Sequence, residues 1–154
     1  MIYTNGRLYE GEWKDDRREG RGYERYQNGS IYTGNFQKGK ANGHGIFKWV
    51  QNQEEYDGQW VMGTKEGKGV WKGKDDNSYF GDWRANKPWG YGTYTWPNGD
   101  RYDGEWVAGV KEGKGADFFD NGDTYLGEYK NNYPHGKGRY TWKASNSVFE
   151  GEFI

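Results

Sequence analysis

Polar and apolar positions alternate in short bursts along this chain, and the bursts recur. Tyr9, Gly11 and Trp13 are separated by Glu10 and Glu12. The same aromatic-x-Gly-x-aromatic string returns at Tyr32/Gly34/Phe36, Tyr56/Gly58/Trp60, Tyr79/Gly81/Trp83, Tyr102/Gly104/Trp106, Tyr125/Gly127/Tyr129 and Phe149/Gly151/Phe153. The period is 23 residues, stretched twice to 24. With the first aromatic as position 1, Gly-x-Gly follows at positions 12 and 14 in every unit, from Gly20/Gly22 to Gly136/Gly138. Positions 16 and 18 are aromatic in Phe47/Trp49, Tyr94/Trp96 and Tyr140/Trp142. Alternation with a period of two is the mark of a strand, whose side chains point to opposite faces in turn. Each unit therefore predicts a β-hairpin.

A fixed period of this length signals a repeat architecture. The expected organisation is one array over residues 1–154: a partial unit 1–8, repeats 9–31, 32–55, 56–78, 79–101, 102–124 and 125–148, and a partial unit 149–154. The fold class is all-β, an elongated single-layer antiparallel sheet of tandem hairpins. Gly39, Gly63 and Gly109 mark a turn at position 8; Asp16, Asn86 and Asn132 replace them and tolerate the same left-handed backbone. The second connection carries Asn28-Gly29, Asn98-Gly99 and the stretch Asp120 to Asp123, and it needs an odd loop or a glycine bulge to keep the aromatics on one face. Pairing position 3 with 14 and 1 with 16 makes a floor of facing glycines on which rings lie flat. The same register sets Glu12 across from Arg21, Gln59 from Lys68, Glu105 from Lys114 and Glu128 from Lys137, a charged back to the sheet.

Composition explains what holds such a chain together. Only 32% of residues are hydrophobic, 27 are glycine, and 24 of the 30 aromatic residues fall at positions 1, 5, 16 and 18. Disordered chains are poor in aromatics and strongly charged, whereas this one has a formal charge of -1. That balance supplies no summed field toward nucleic acid or an anionic bilayer. There is no cysteine, so no disulfide and no thiolate metal site, and no apolar run approaches a membrane span. The expected location is cytoplasmic.

These residues resemble the MORN (membrane occupation and recognition nexus) repeat, which runs Tyr-x-Gly-Glu-Trp-x-x-Gly-x-x-x-Gly-x-Gly, then an aromatic stretch, then Asp/Asn-Gly. The resemblance covers the chain end to end. It departs at the residue before the first glycine of the pair, where the family often has His and only His135 keeps it. The resemblance implies a non-catalytic scaffold in cytoskeletal or ciliary assemblies. Two other readings follow from it, a tether for membrane phosphoinositide and a regulatory module of a larger enzyme.

Catalytic chemistry is thin. His44 and His135 are four repeats apart and cannot share a metal or a proton relay. Gly63 to Gly69 has the wrong spacing for a phosphate loop and no Ser/Thr after its lysine, and Asp117 to Asp123 lacks the alternating oxygens of a calcium loop. No cofactor or metal is expected. The basic column Arg21, His44, Lys68, Lys114 and Lys137 is interleaved with acids, which weakens a lipid-reading role.

The aromatic face is the candidate site. A one-layer sheet has no second layer to cover it, so it should stay partly open to a protein partner. The candidate partner-binding residues are Tyr9, Trp13, Tyr32, Phe36, Phe47, Trp49, Tyr56, Trp60, Trp71, Tyr79, Trp83, Tyr94, Trp96, Tyr102, Trp106, Phe119, Tyr125, Tyr129, Tyr140 and Trp142. The strip is interrupted by Glu24, Gly73 and Asp117. Unpaired sheet edges also offer a route to a homodimer.

Overall fold

The computed structural model describes residues 1–154. Thirteen strands pair antiparallel in chain order in one open sheet, with no helix. The chain divides into two units, Met1–Lys74 with Trp83–Asn86, and Asp75–Asp82 with Lys87–Ile154. The first holds β1 (Leu8–Lys14), β2 (Arg17–Arg25), β3 (Ile31–Gln37), β4 (Lys40–Trp49), β5 (Glu54–Val61) and β6 (Thr64–Lys72). Strand β7 (Ser78–Arg84) is divided between the units. The second unit continues with β8 (Lys87–Thr95), β9 (Arg101–Val107), β10 (Val110–Phe118), β11 (Thr124–Lys130), β12 (Tyr133–Trp142) and β13 (Ser147–Phe153).

The facing glycines are present as the repeat predicts. Gly11 pairs with Gly22, Gly34 with Gly45 and Gly58 with Gly69 in the first unit; Gly104 pairs with Gly115 and Gly127 with Gly138 in the second. Beyond them the register shifts. Trp13 lies opposite Arg18 and Lys14 opposite Arg17, closing a turn in which Asp15 and Asp16 both have positive φ, 49° and 57°. Two left-handed residues in a two-residue loop make a type I′ turn, whose twist matches that of the strands. Asn86 and Asn132 adopt the same conformation at φ 66° and 73°, so the turn survives the loss of glycine.

The bulge that accompanies this turn corrects one expectation. Position 4 is not opposite position 13 within a hairpin, because the second strand takes extra residues around the position-12 glycine. Its positive φ, 72° at Gly113 and 75° at Gly136, suits glycine. The carboxylates at position 4 turn instead to the main chain that the bulge releases. Glu105 accepts the Lys114 backbone N–H at 2.6 Å, Glu128 that of Lys137 at 2.7 Å, Asp82 that of Tyr91 at 3.0 Å and Glu12 that of Arg21 at 3.1 Å. The basic residues face the next repeat, with Lys114 opposite Glu128 and Lys137 opposite Glu152.

The two edges of the sheet are built differently. At the type I′ edge the position-11 side chain accepts a backbone N–H from the following repeat's turn, as Glu19 does from Lys38, Glu66 from Ala85 and Glu112 from Asn131. At the other edge loops 50–53 and 143–146 have four residues and 73–77 has five, with Asp76 at positive φ; loops 26–30, 96–100 and 119–123 have five, and each places a glycine at positive φ. An asparagine side chain in each of these last three accepts the N–H two residues on, at Asn28, Asn98 and Asn121.

The core is the row of rings at positions 1 and 5. Tyr9, Tyr32, Tyr56, Tyr79, Tyr102 and Tyr125 are at most 1% exposed. Each ring lies across the glycine floor. A Cβ on Gly92 would fall 2.2 Å from the Tyr79 hydroxyl, and one on Gly115 2.4 Å from that of Tyr102. Neighbours close the sides edge-on, with Tyr56 centred 5.1 Å from Trp60 and 5.0 Å from Trp83, and Tyr102 centred 5.2 Å from Trp106 and 5.0 Å from Tyr129. T-shaped pairs of this kind contribute about 0.5–1.5 kcal/mol each beyond burial. The indoles also donate to the floor, Trp60 to the Gly45 carbonyl at 3.0 Å and Trp106 to that of Gly92 at 3.1 Å.

Candidate partner-binding site

The interlocked rings change which residues a partner can reach. Eleven of the twenty candidates, Tyr9, Tyr32, Phe36, Tyr56, Trp60, Tyr79, Trp83, Tyr102, Trp106, Tyr125 and Tyr129, are buried within the row and are core residues. This corrects the expectation that the strip stays partly open along its length, because at these eleven positions rings set edge to face over glycine cover one another without a second layer. The other nine remain accessible. Phe47, Trp49, Trp71, Tyr94, Trp96, Phe119 and Tyr140 are half-buried, and Trp13 and Trp142 are each 42% exposed.

Numbering the repeats from Tyr9, the accessible rings concentrate in the even ones. Phe47 stacks at 4.4 Å on Trp49, Tyr94 at 4.6 Å on Trp96 and Tyr140 at 4.6 Å on Trp142. In the odd repeats the strip is interrupted by a different device at position 10, which the sequence reading passed over. Arg18, Lys65 and Lys111 occupy it, 47 and 46 residues apart, where the even repeats have Ala41, Pro88 and Pro134.

These cations lie over core rings, and the two lysines also over the tryptophan of the preceding repeat's aromatic pair. Lys65 lies over Trp49, Tyr56 and Trp83 at 4.7, 5.2 and 5.1 Å from their centroids, and burial holds its ammonium pKa below the ordinary value. Lys111 lies over Trp96, Tyr102 and Tyr129 at 4.8, 4.6 and 5.5 Å. In the first and fifth repeats position 16 supplies the counter-ion. Asp117 takes Lys111 on both carboxylate oxygens, at 2.8 and 3.0 Å, and accepts the Tyr129 hydroxyl at 2.6 Å. Glu24 takes both Arg7 and Arg18. The interruptions at Glu24 and Asp117 are thus buried ion pairs; the cations recur every two repeats under the stronger one-repeat period, and the odd repeat between the two acids has Trp71 at position 16.

The five-residue loops add charge. Asp100 accepts the backbone N–H of Asp120 at 2.8 Å, and Asp123 is held by the Tyr140 hydroxyl at 3.0 Å and the Lys143 backbone N–H at 3.0 Å. The latter bond, first among its causes, holds the Asp123 carboxyl below its ordinary value. Elsewhere His44 meets Asp57 at 2.6 Å on the open back of the sheet, far from any third ligand, and no group of three or more His, Cys, Asp or Glu is placed to hold a metal ion.

The MORN repeat family model matches residues 9–31, 32–53, 56–78, 79–101, 102–124 and 125–147. No curated protein sequence matches the chain. Among solved structures, it is similar to the SAS-4 (dCPAP) TCP domain of Drosophila melanogaster in complex with a proline-rich motif of Ana2 (dSTIL). That match has a TM-score of 0.59 and 11% identity, over 99% of this chain and 81% of the other. The TCP10 domain of Danio rerio CPAP in complex with a STIL peptide matches with a TM-score of 0.40 and 11% identity, over 98% and 76% of the two chains. At such identity the likeness is one of fold.

Proposed function

The chain belongs to the MORN repeat family, and we propose that it is a non-catalytic module that holds an extended segment of a partner protein. The contact surface is the half-exposed aromatic pairs, Phe47/Trp49 in the first unit and Tyr94/Trp96 with Tyr140/Trp142 in the second. One observation carries this reading: the rings at positions 1 and 5 bury themselves, while the paired rings at 16 and 18 of the even repeats are left with accessible faces. Large aromatic faces of this kind are where binding energy concentrates. The SAS-4 TCP domain, similar in fold, is seen in complex with a proline-rich motif, which supports the same use of this sheet; a place in a cytoskeletal or ciliary assembly is what the family resemblance implies.

The test is capture from the native source with crosslinks mapped by mass spectrometry, comparing wild type with a Trp49→Ala/Trp96→Ala/Trp142→Ala variant. Crosslinks beside Trp96 and Trp142 that vanish in the variant, with an unchanged circular dichroism spectrum, are the expected result. Undiminished capture by a folded variant would remove the reading.

A further inference from the structure

A recess of about 400 Å³ opens in the second unit between Trp96 and Phe119, with Lys111 and Asp117 beneath it and Asp100 at its rim. Its floor is electrically closed, since Lys111 is bound to Asp117 and lies against Trp96. Its rim is not. Asp100 and Asp120 form no ion pair, and Asp100 accepts the Asp120 backbone N–H at 2.8 Å; Asp123 is buried, its carboxylate held by Asn121, Tyr140 and the Lys143 backbone N–H. The loop Tyr26 to Ser30 carries no acid and loop 73–77 carries Asp75 and Asp76 next to Lys74, so the acids vary from loop to loop and are not fixed by the repeat.

Spacing decides what conformation fits. Trp96, Phe119 and Trp142 occupy position 18 in successive repeats, two strands apart, which is ~9.6 Å in a sheet with ~4.8 Å between strands. A polyproline II helix advances ~9.3 Å in its three-residue turn. An extended β-strand repeats its facing every ~6.7 Å and falls out of step after one ring. Aromatic ridges at this interval, unlike a sheet edge, suit proline-rich segments, whose low conformational entropy when free favours docking in such grooves.

Building on the partner-holding reading above, we infer that the second unit's groove takes a polyproline II segment with proline facing the slots between Trp96, Phe119 and Trp142 and with arginine or lysine at intervening positions. The basic side chains meet Asp100 and Asp120. The segment crosses the strands, following the row of position-18 rings.

The experiment titrates the purified full chain with three fluorescein-labelled nonapeptides, (Pro-Pro-Arg)3, (Pro-Pro-Glu)3 and (Gly-Ser-Arg)3, and follows anisotropy at low and high salt. Binding of the first at least tenfold tighter than either control, weakened by salt and lost in both Trp96→Ala and the Asp100→Asn/Asp120→Asn variant, is expected. Equal binding of the glutamate peptide removes the acidic rim from recognition. Equal binding of the glycine-serine peptide removes the polyproline II fit. No binding of any, or a self-associated chain whose Trp96 is covered by a second copy in sedimentation and crosslinking, overturns the inference outright. In each case aromatic-dependent capture of a native partner leaves the broader reading standing.

Discussion

The hydroxyl of Tyr102 donates to the main-chain carbonyl of Glu105, 2.9 Å away, across the two glycines on which its ring rests. Tyr9, Tyr32, Tyr56, Tyr79 and Tyr125 repeat the bond three residues ahead at 2.8 to 2.9 Å. The phenol thereby satisfies its own polar end in a core that has no other layer to supply a partner.

Removing that end and removing the ring should therefore differ. Tyr102→Phe loses about 1 kcal/mol, whereas Tyr102→Ala loses about 3–5 kcal/mol because it also empties the slot between Trp106 and Tyr129. Urea denaturation followed by tryptophan fluorescence measures both. Similar losses for the two variants would mean that the ring contacts contribute little.

Gly115→Ala and Gly109→Asn probe the two uses of glycine. The first sets a methyl group 2.4 Å from the Tyr102 hydroxyl and should destabilise by about 1–3 kcal/mol. The second has open space around it, and asparagine already serves at the equivalent Asn86 and Asn132, so its midpoint should stay close to wild type. Thermal melts decide the order.

The ion pair beneath Trp96 should behave as one half of an exchangeable device. Lys111→Ala leaves Asp117 buried without its cation and should cost about 3–5 kcal/mol. The Lys111→Ala/Asp117→Phe double variant, which copies Ala41 and Phe47 and keeps the backbone N–H that Asn132 accepts, should recover most of that loss. A double variant no better than the single one would show that the two positions do not form a unit.

Stability should fall in alkali. Burial raises the phenol pKa of Tyr32, Tyr56, Tyr79 and Tyr102 above the ordinary value near 10, and at Tyr26 burial with Glu24 beside it gives about 12. The folded state keeps protons that the unfolded chain has already released. The resulting stabilisation is complete below pH ~10 and is lost progressively above it. With phenolate absorbance and circular dichroism recorded together, the full absorbance should be reached only as the dichroism is lost; complete phenolate formation with native dichroism retained would contradict the buried ring row.

Much of this was legible in the chain. Tyr102, Gly104 and Gly115 declare a ring over a glycine floor by their spacing alone, and Asp16, Asn86 and Asn132 declare the turn because few other residues accept its backbone. The hairpin register was legible only as far as those glycines. Glu105 and Lys114 suggest a charge pair, and the bulge at Gly113 turns the carboxylate onto the lysine's own amide instead. Burial was the larger surprise. Trp60 and Trp106 look exposed when the sheet is counted in layers, but edge-to-face packing closes around them ring by ring, which no count of layers registers. Lys65 and Lys111 were overlooked because a lysine near a turn ordinarily reads as solvent-facing, and nothing short of their recurrence two repeats apart distinguishes them.

That recurrence imposes parity on the array. Lys65 shelters the tryptophan of the repeat before it, Trp49, as Lys111 shelters Trp96. Excising residues 56–101 brings Lys111 to the place of Lys65 and leaves Trp49 sheltered; excising residues 56–78 alone brings Pro88 there and strands the indole. A chain built this way shortens or lengthens without injury only by an even number of repeats.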